Sequence, residues 1–148
     1  MISIEQIKQL REKTGISIAE CKKALQEAKG DFEQAKKILR AKGKEFAAKK
    51  GERGTGEGVI ASYIHQNKKI GVLLDLRSET DFAARSQDFQ KLAHELCLQI
   101  AAMDPQELSL LEQPWIRDQS KTIKDLIDEC IAKIGENITI KRFEKYQI

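Results

Sequence analysis

Val59-Ile60-Ala61-Ser62-Tyr63-Ile64-His65 is followed by Gln66-Asn67-Lys68-Lys69 and then by Ile70-Gly71-Val72-Leu73-Leu74-Asp75-Leu76. Two apolar, partly β-branched runs joined by four polar residues predict a β-hairpin. In the second run Ile70, Val72, Leu74 and Leu76 share one face by strict alternation, and Asp75 and Arg77 lie on the other. An apolar sheet face needs a covering layer. Downstream, Phe89 to Met103 supplies one, with Leu92, Leu96 and Ile100 at helical spacing and Pro105 after its end. Leu110 to Ile116 reads as a short extended stretch that Pro114 confines to an edge. Ile123, Leu126, Ile127, Ile131 and Ile134 mark a helix that Gly135 stops, and Ile138 to Phe143 reads as a closing strand. This order predicts an α+β unit over residues 59–148, an antiparallel sheet packed with helices on one face.

Residues 1–42 predict a three-helix bundle. Ser3 with Gln6, Ser17 with Glu20 and Asp31 with Gln34 each place a cap three residues before a partner. Ile4, Ile7 and Leu10 mark the buried face of the first helix, and Cys21, Ala24, Leu25 and Ala28 that of the second. Phe32, Ala35, Ile38 and Leu39 do so for the third, with Gly15 and Gly30 as stops. Short helices of this kind bury their stripes only against one another. Between the two units, residues 43–58 hold five of the nine glycines amid Lys44, Lys49, Lys50 and Arg53. That composition predicts a basic, flexible linker. Its charge reads either as simple solvation of a tether or as contact with an acidic partner or RNA.

Composition narrows the function classes. The 148 residues are 41% apolar and 33% charged with a net charge of +3, an ordinary balance for a folded chain and too mild to imply nucleic acid. No run approaches the length of a membrane span, and the first residues lack the pattern of a secretory signal. Cys21, Cys97 and Cys130 are odd in number and set among aliphatic residues, the pattern of buried thiols in a reducing compartment. His65 and His94 stand on separate elements, which weakens any nucleophile–base pairing. His94 and Cys97 share a helix face but have no second ligand cluster, so no metal site is expected. There is no phosphate-binding glycine loop of the kind that holds nucleotides. Tyr63 and Phe143 fall in strands, where core packing is the simpler reading than a base-stacking platform.

One feature stands apart. Phe82 follows the hairpin directly, flanked by Thr80, Asp81, Ala83 and Ala84. With Asp81 as the helix cap, Phe82 falls in the first turn. Two readings stand side by side: a cap above a core phenylalanine, or an exposed acid–aromatic wedge for a partner.

Several motifs in register resemble a known family. Leu10-Arg11-Glu12-Lys13-Thr14-Gly15, Cys21-Lys22-Lys23-Ala24-Leu25 and Gly30-Asp31 resemble the ubiquitin-associated-like N-terminal module of elongation factor Ts. Glu57-Gly58-Val59-Ile60, Gly71-Val72-Leu73-Leu74 and Glu79-Thr80-Asp81-Phe82-Ala83-Ala84 resemble its core, as does Ala132-Lys133-Ile134-Gly135-Glu136-Asn137-Ile138. The resemblance implies a binding protein without bond-making chemistry that promotes release of GDP from elongation factor Tu. By position, Thr80, Asp81, Phe82 and Ala83 form the element that disturbs the Mg²⁺/phosphate site, while Leu10, Arg11 and Ile18 grip the nucleotide domain. The Mg²⁺ belongs to the partner, so no cofactor is implied. The partner is expected in its GDP-bound and nucleotide-free forms, without membrane or direct nucleic acid. The compartment implied is a bacterial cytoplasm, or a plastid or other organelle for an organelle-encoded chain.

The chain also departs from the family pattern. Arg77-Ser78 replaces an Asn-Cys-like pair, and Ile16-Ser17-Ile18-Ala19-Glu20 replaces a loop that often reads Ala-Gly-Met-Met-Asp. A helical segment usual in short members is missing between Ser109 and Leu110. Longer members contain two core units, so a homodimer is one way to rebuild the full surface. The alternative function is a ribosome- or RNA-associated module that kept the fold and lost exchange, and a thiol-dependent enzyme is the third.

Overall fold

A computed structural model describes residues 2–103 and 108–148. Pro105, expected after the long helix, lies outside the described residues. The chain is α+β, with helices first and an antiparallel sheet after them. It divides into two compact units, Met1–Phe46 and Ala47–Ile148.

In the first unit, α1 (Ile4–Thr14), α2 (Ile18–Glu27) and the start of α3 (Phe32–Lys50) follow the predicted caps. Ser3 and Gln6 close a reciprocal capping box, Ser17 accepts from the Glu20 N–H, and Asp31 accepts from the Gln34 N–H. Ile7, Leu10, Cys21, Leu25, Ala35 and Leu39 form the core. Ile4, expected on the buried face, is exposed, whereas Ile2 just before it packs against the core.

The stretch 43–58 departs from its reading as a linker. α3 continues through Gly43 to Lys50, and β1 already begins at Glu57. One interior glycine costs a helix about 1 kcal/mol. The surrounding Lys44, Glu45, Ala47, Ala48 and Lys49 favour the helix, and Ala47 is buried.

In the second unit β1 (Glu57–Ile64), β2 (Ile70–Ser78) and β5 (Ile138–Gln147) form an antiparallel sheet in the order β1-β2-β5. Ile64 pairs with Gly71 across the hairpin, whose turn uses Lys68 at φ 60° and the Asn67 side chain accepting from the Lys69 N–H. β2 and β5 lose register between Asp75 and Leu76, opposite Arg142 and Ile140. The inner face carries Val72, Leu74 and Leu76. α5 (Gln87–Ala102) packs over β1 and β2 and against α6 (Ile123–Ile134), and its Leu92, Leu96 and Ile100 are buried. Gly58 is required where it stands: a Cβ there would lie 2.1 Å from the Leu76 carbonyl oxygen.

The region after α5 is more structured than expected. A single 3₁₀ turn, Leu110–Glu112, leads into a two-stranded ribbon of β3 (Pro114–Trp115) and β4 (Asp118–Thr122). Buried Gln99 of α5 holds it, donating to Gln113 Oε1 at 3.0 Å and the Pro114 carbonyl at 3.1 Å while accepting from the Ile116 N–H at 2.9 Å. A buried amide with these bonds made is stabilising, and breaking one side strands the others.

Candidate functional site

The central strand β2 ends at Ser78, whose side chain is fully buried and donates to the Thr80 carbonyl at 2.8 Å. The chain then turns into α4 (Asp81–Ala84), one short turn of helix. Its cap is Thr80, a correction to the expected Asp81: Thr80 Oγ1 accepts from the Ala83 N–H at 3.2 Å, with Thr80 itself in extended conformation. Asp81 is the first helical residue and pairs with Arg85 one turn on. Ala83 and Ala84 are the buried residues of α4, so Ala83 is a spacer whose methyl group faces the protein.

Phe82 is 86% exposed. Of the two readings of this ring, core or outward-facing, the geometry selects the second. It stands on a corner with small residues below and a charged pair beside it.

That corner is cross-braced by the turn after α6, where Gly135 adopts the left-handed conformation at φ 78° and ends the helix. The Glu136 carboxylate accepts from the Thr80 N–H at 2.9 Å through Oε1 and from the Thr80 hydroxyl at 2.7 Å through Oε2. In the opposite direction, Glu79 Oε2 accepts from the Asn137 N–H at 2.6 Å, and Glu79 Oε1 pairs with Arg53 at 2.9 Å. Buried Asn137 donates through Nδ2 to the Arg53 carbonyl at 2.8 Å. Three segments distant in sequence therefore meet at the corner. Neither Glu136 nor Asn137 was assigned a role from sequence, since no spacing rule connects residues so far apart.

The other expected contact residues divide. Arg11 and Ile18 are exposed in the first unit, whereas Leu10 is fully buried in its core. Leu10 therefore offers no surface to a partner; it belongs to the core cluster with Cys21 and Leu25 of α2.

The thiols are poorly suited to chemistry. Burial pushes Cys97 up to about 11 and Cys130 up to about 12, the latter helped by the nearby Asp88 charge. Burial also raises Cys21. The nucleophile is the thiolate, so these groups are held in the unreactive form at neutral pH. His94 is exposed while Cys97 is buried. Among the described residues no three His, Cys, Asp or Glu side chains gather as a metal site.

A sequence model of the family described as "Elongation factor TS" matches residues 4–106 and 79–148, so almost the whole chain is covered. The chain belongs to the elongation factor Ts family. Elongation factor Ts of Thermosipho melanesiensis is 40% identical over 194 aligned positions, which cover 100% of this chain and 99% of the relative. The Methylacidiphilum infernorum protein of that name is 42% identical, with 99% and 95% covered, and the Fervidobacterium nodosum one 42%, with 99% and 98% covered. A span of 194 positions against 148 residues means that the relatives carry residues without a counterpart in this chain. Family membership makes it a translation elongation factor. Among the described residues no helix is long and apolar enough to cross a membrane.

Proposed function

We propose that this chain is the guanine-nucleotide exchange factor of elongation factor Tu, acting in a bacterial cytoplasm or an organelle, and that it is a binding protein and not an enzyme. It engages the GDP-bound GTPase and promotes GDP release by disturbing the Mg²⁺/phosphate site, so that GTP can enter. The observation that carries this reading is Phe82, 86% exposed on a braced corner and flanked by the Asp81 carboxylate. An apolar ring held out in water contributes nothing to its own fold and gains about 1.5–3 kcal/mol once buried in a partner. Asp81 beside it brings negative charge into a pocket organised around a metal-bound diphosphate. Linkage then does the rest: a protein that binds the empty GTPase more tightly than the loaded one weakens nucleotide binding by the same factor. One ring accounts for roughly one to two decades. The exposed Arg11 and Ile18 of the first unit supply further grip, with Leu10 in the core of the same unit.

The test is release of fluorescent GDP from elongation factor Tu after a chase with unlabelled GDP. Amounts of this chain well below stoichiometric accelerate release if the proposal holds. Tight, strongly salt-dependent RNA binding without any effect on GDP favours the RNA-associated alternative instead.

A second reading concerns self-association. The outer face of the sheet exposes Ile60, Ile64, Leu73 and Tyr146, which span all three strands. Such a patch on a free chain invites a cover, and a second copy would provide one. Sedimentation of the chain and of Leu73→Lys decides this: a dimer that the substitution dissociates supports it, and a monomeric parent rules it out.

A further inference from the structure

The α4 corner has too little helix to hold itself. Four residues form a single turn, and isolated helices become stable only at about 12–15 residues. Phe82, being exposed, gains no direction from packing, so its aim depends on the backbone of residues 80–82. Ser78 ties that backbone locally, two residues away. At the far end of the turn Gln90 of α5 donates to the Ala84 carbonyl at 2.8 Å, and at the Thr80 end, among the described residues, the tie from a segment distant in sequence is Glu136.

We propose that Glu136 is a positioning residue of the exchange corner. Its carboxylate grips Thr80 and thereby fixes the direction in which Phe82 leaves the surface. This rests on the exchange reading above. The two bonds to Thr80 have complementary effects. The one from the Thr80 N–H pins the chain just before the helix. The one from the hydroxyl uses its hydrogen, which leaves an oxygen lone pair directed to the Ala83 N–H as the helix cap. A single carboxylate therefore sets both the entry angle and the cap. Charged acceptors make such bonds stronger than neutral ones.

The arm that presents this carboxylate is itself held on both sides. Gly135 closes α6 through its N–H to the Ile131 carbonyl. Asn137 is buried, with its N–H on Glu79 and its side chain on the Arg53 carbonyl. Strand end and helix end thus exchange carboxylates: Glu79 reaches Asn137 and Glu136 reaches Thr80. Preorganising a docking group removes the cost of ordering it on binding, and small misplacements of an inserted group are expensive.

Glu136→Ala tests this in the full chain with elongation factor Tu. The release rate at saturating concentration is expected to fall about tenfold while thermal stability moves little. Amide exchange at Thr80 and Ala83 is expected to rise, with α5 amides unchanged. The discriminating comparison is the double variant with Phe82→Ala. A residue acting through Phe82 adds little to that loss, so Glu136→Ala/Phe82→Ala should match Phe82→Ala within about twofold. Glu136→Gln keeps Oε1 for the Thr80 N–H and loses the second acceptor, so an intermediate loss is expected even if the alanine variant folds poorly. Losses that multiply in full, or a Glu136→Gln chain releasing GDP at the parent rate with unaltered Thr80 and Ala83 exchange, overturn the positioning role. A parent chain inert toward GDP release is a different failure, that of the exchange reading, and is seen before any variant is made.

Discussion

Replacing Phe82 by alanine separates function from fold more cleanly than any other change to this chain. The ring is 86% exposed, so the free protein loses almost no buried surface. Surface substitutions of this kind shift stability by no more than about 0.5 kcal/mol, which for a chain of this length is under about 2 °C in Tm. In the complex the same ring is buried. Complete burial of a phenylalanine is worth about 1.5–3 kcal/mol, and scaling by the exposed fraction leaves roughly 1.3–2.6 kcal/mol. That corresponds to an approximately ten- to eighty-fold loss of accelerated release. Stopped-flow measurement of fluorescent GDP leaving elongation factor Tu, at saturating concentrations of parent and variant, reads this directly. A variant with unchanged Tm and unchanged release excludes a role for the ring in the complex. A sharp fall in Tm shows instead that the ring packs against its own protein.

Three further outcomes follow from the same geometry. Asp75, buried in the sheet, is held below the usual carboxylate range chiefly by its hydrogen bond from Arg77, and also by the charge of Arg142. A depressed carboxylate stabilises the fold above its unfolded pKa and loses that contribution as pH falls through the folded value; Asp75→Asn should therefore lower Tm at neutral pH, with the gap to the parent closing below about pH 4. The buried thiols, raised to about 11 at Cys97 and about 12 at Cys130, should react slowly with a thiol reagent at pH 8 in the native chain and fully in denaturant; fast native reaction at either would reopen thiol chemistry. Gly58→Ala forces a Cβ onto the Leu76 carbonyl and should destabilise by at least about 2 kcal/mol in a denaturant titration.

Much of the architecture was legible because it rests on local rules. α6 occupies the predicted residues, 123–134, since an apolar stripe and a terminal glycine define both its face and its end. The hairpin followed from alternation and a polar turn. The α3 extension is hidden by the glycines at 43 and 51–58, although helix formers stand beside Gly43. β4 was missed because Asp118-Gln119-Ser120-Lys121-Thr122 has no apolar alternation; its partner strand is anchored by Gln99 from another element. At the corner, Phe82 was found, but its exposure was not decidable from sequence. The cap was assigned one residue late because Thr80 and Asp81 both favour that position, and the Glu136 grip on Thr80 settles which is used.

The central claim is that the corner and the bound diphosphate oppose one another in the partner's pocket. The affinity of this chain for elongation factor Tu, measured with nucleotide removed and again with GDP and Mg²⁺ saturating, tests it most directly. Binding to the empty form is expected to be at least about tenfold tighter, with added GDP loosening the complex by the same factor. Equal affinity for the two forms would contradict it, because a ligand that does not distinguish two states cannot shift the balance between them.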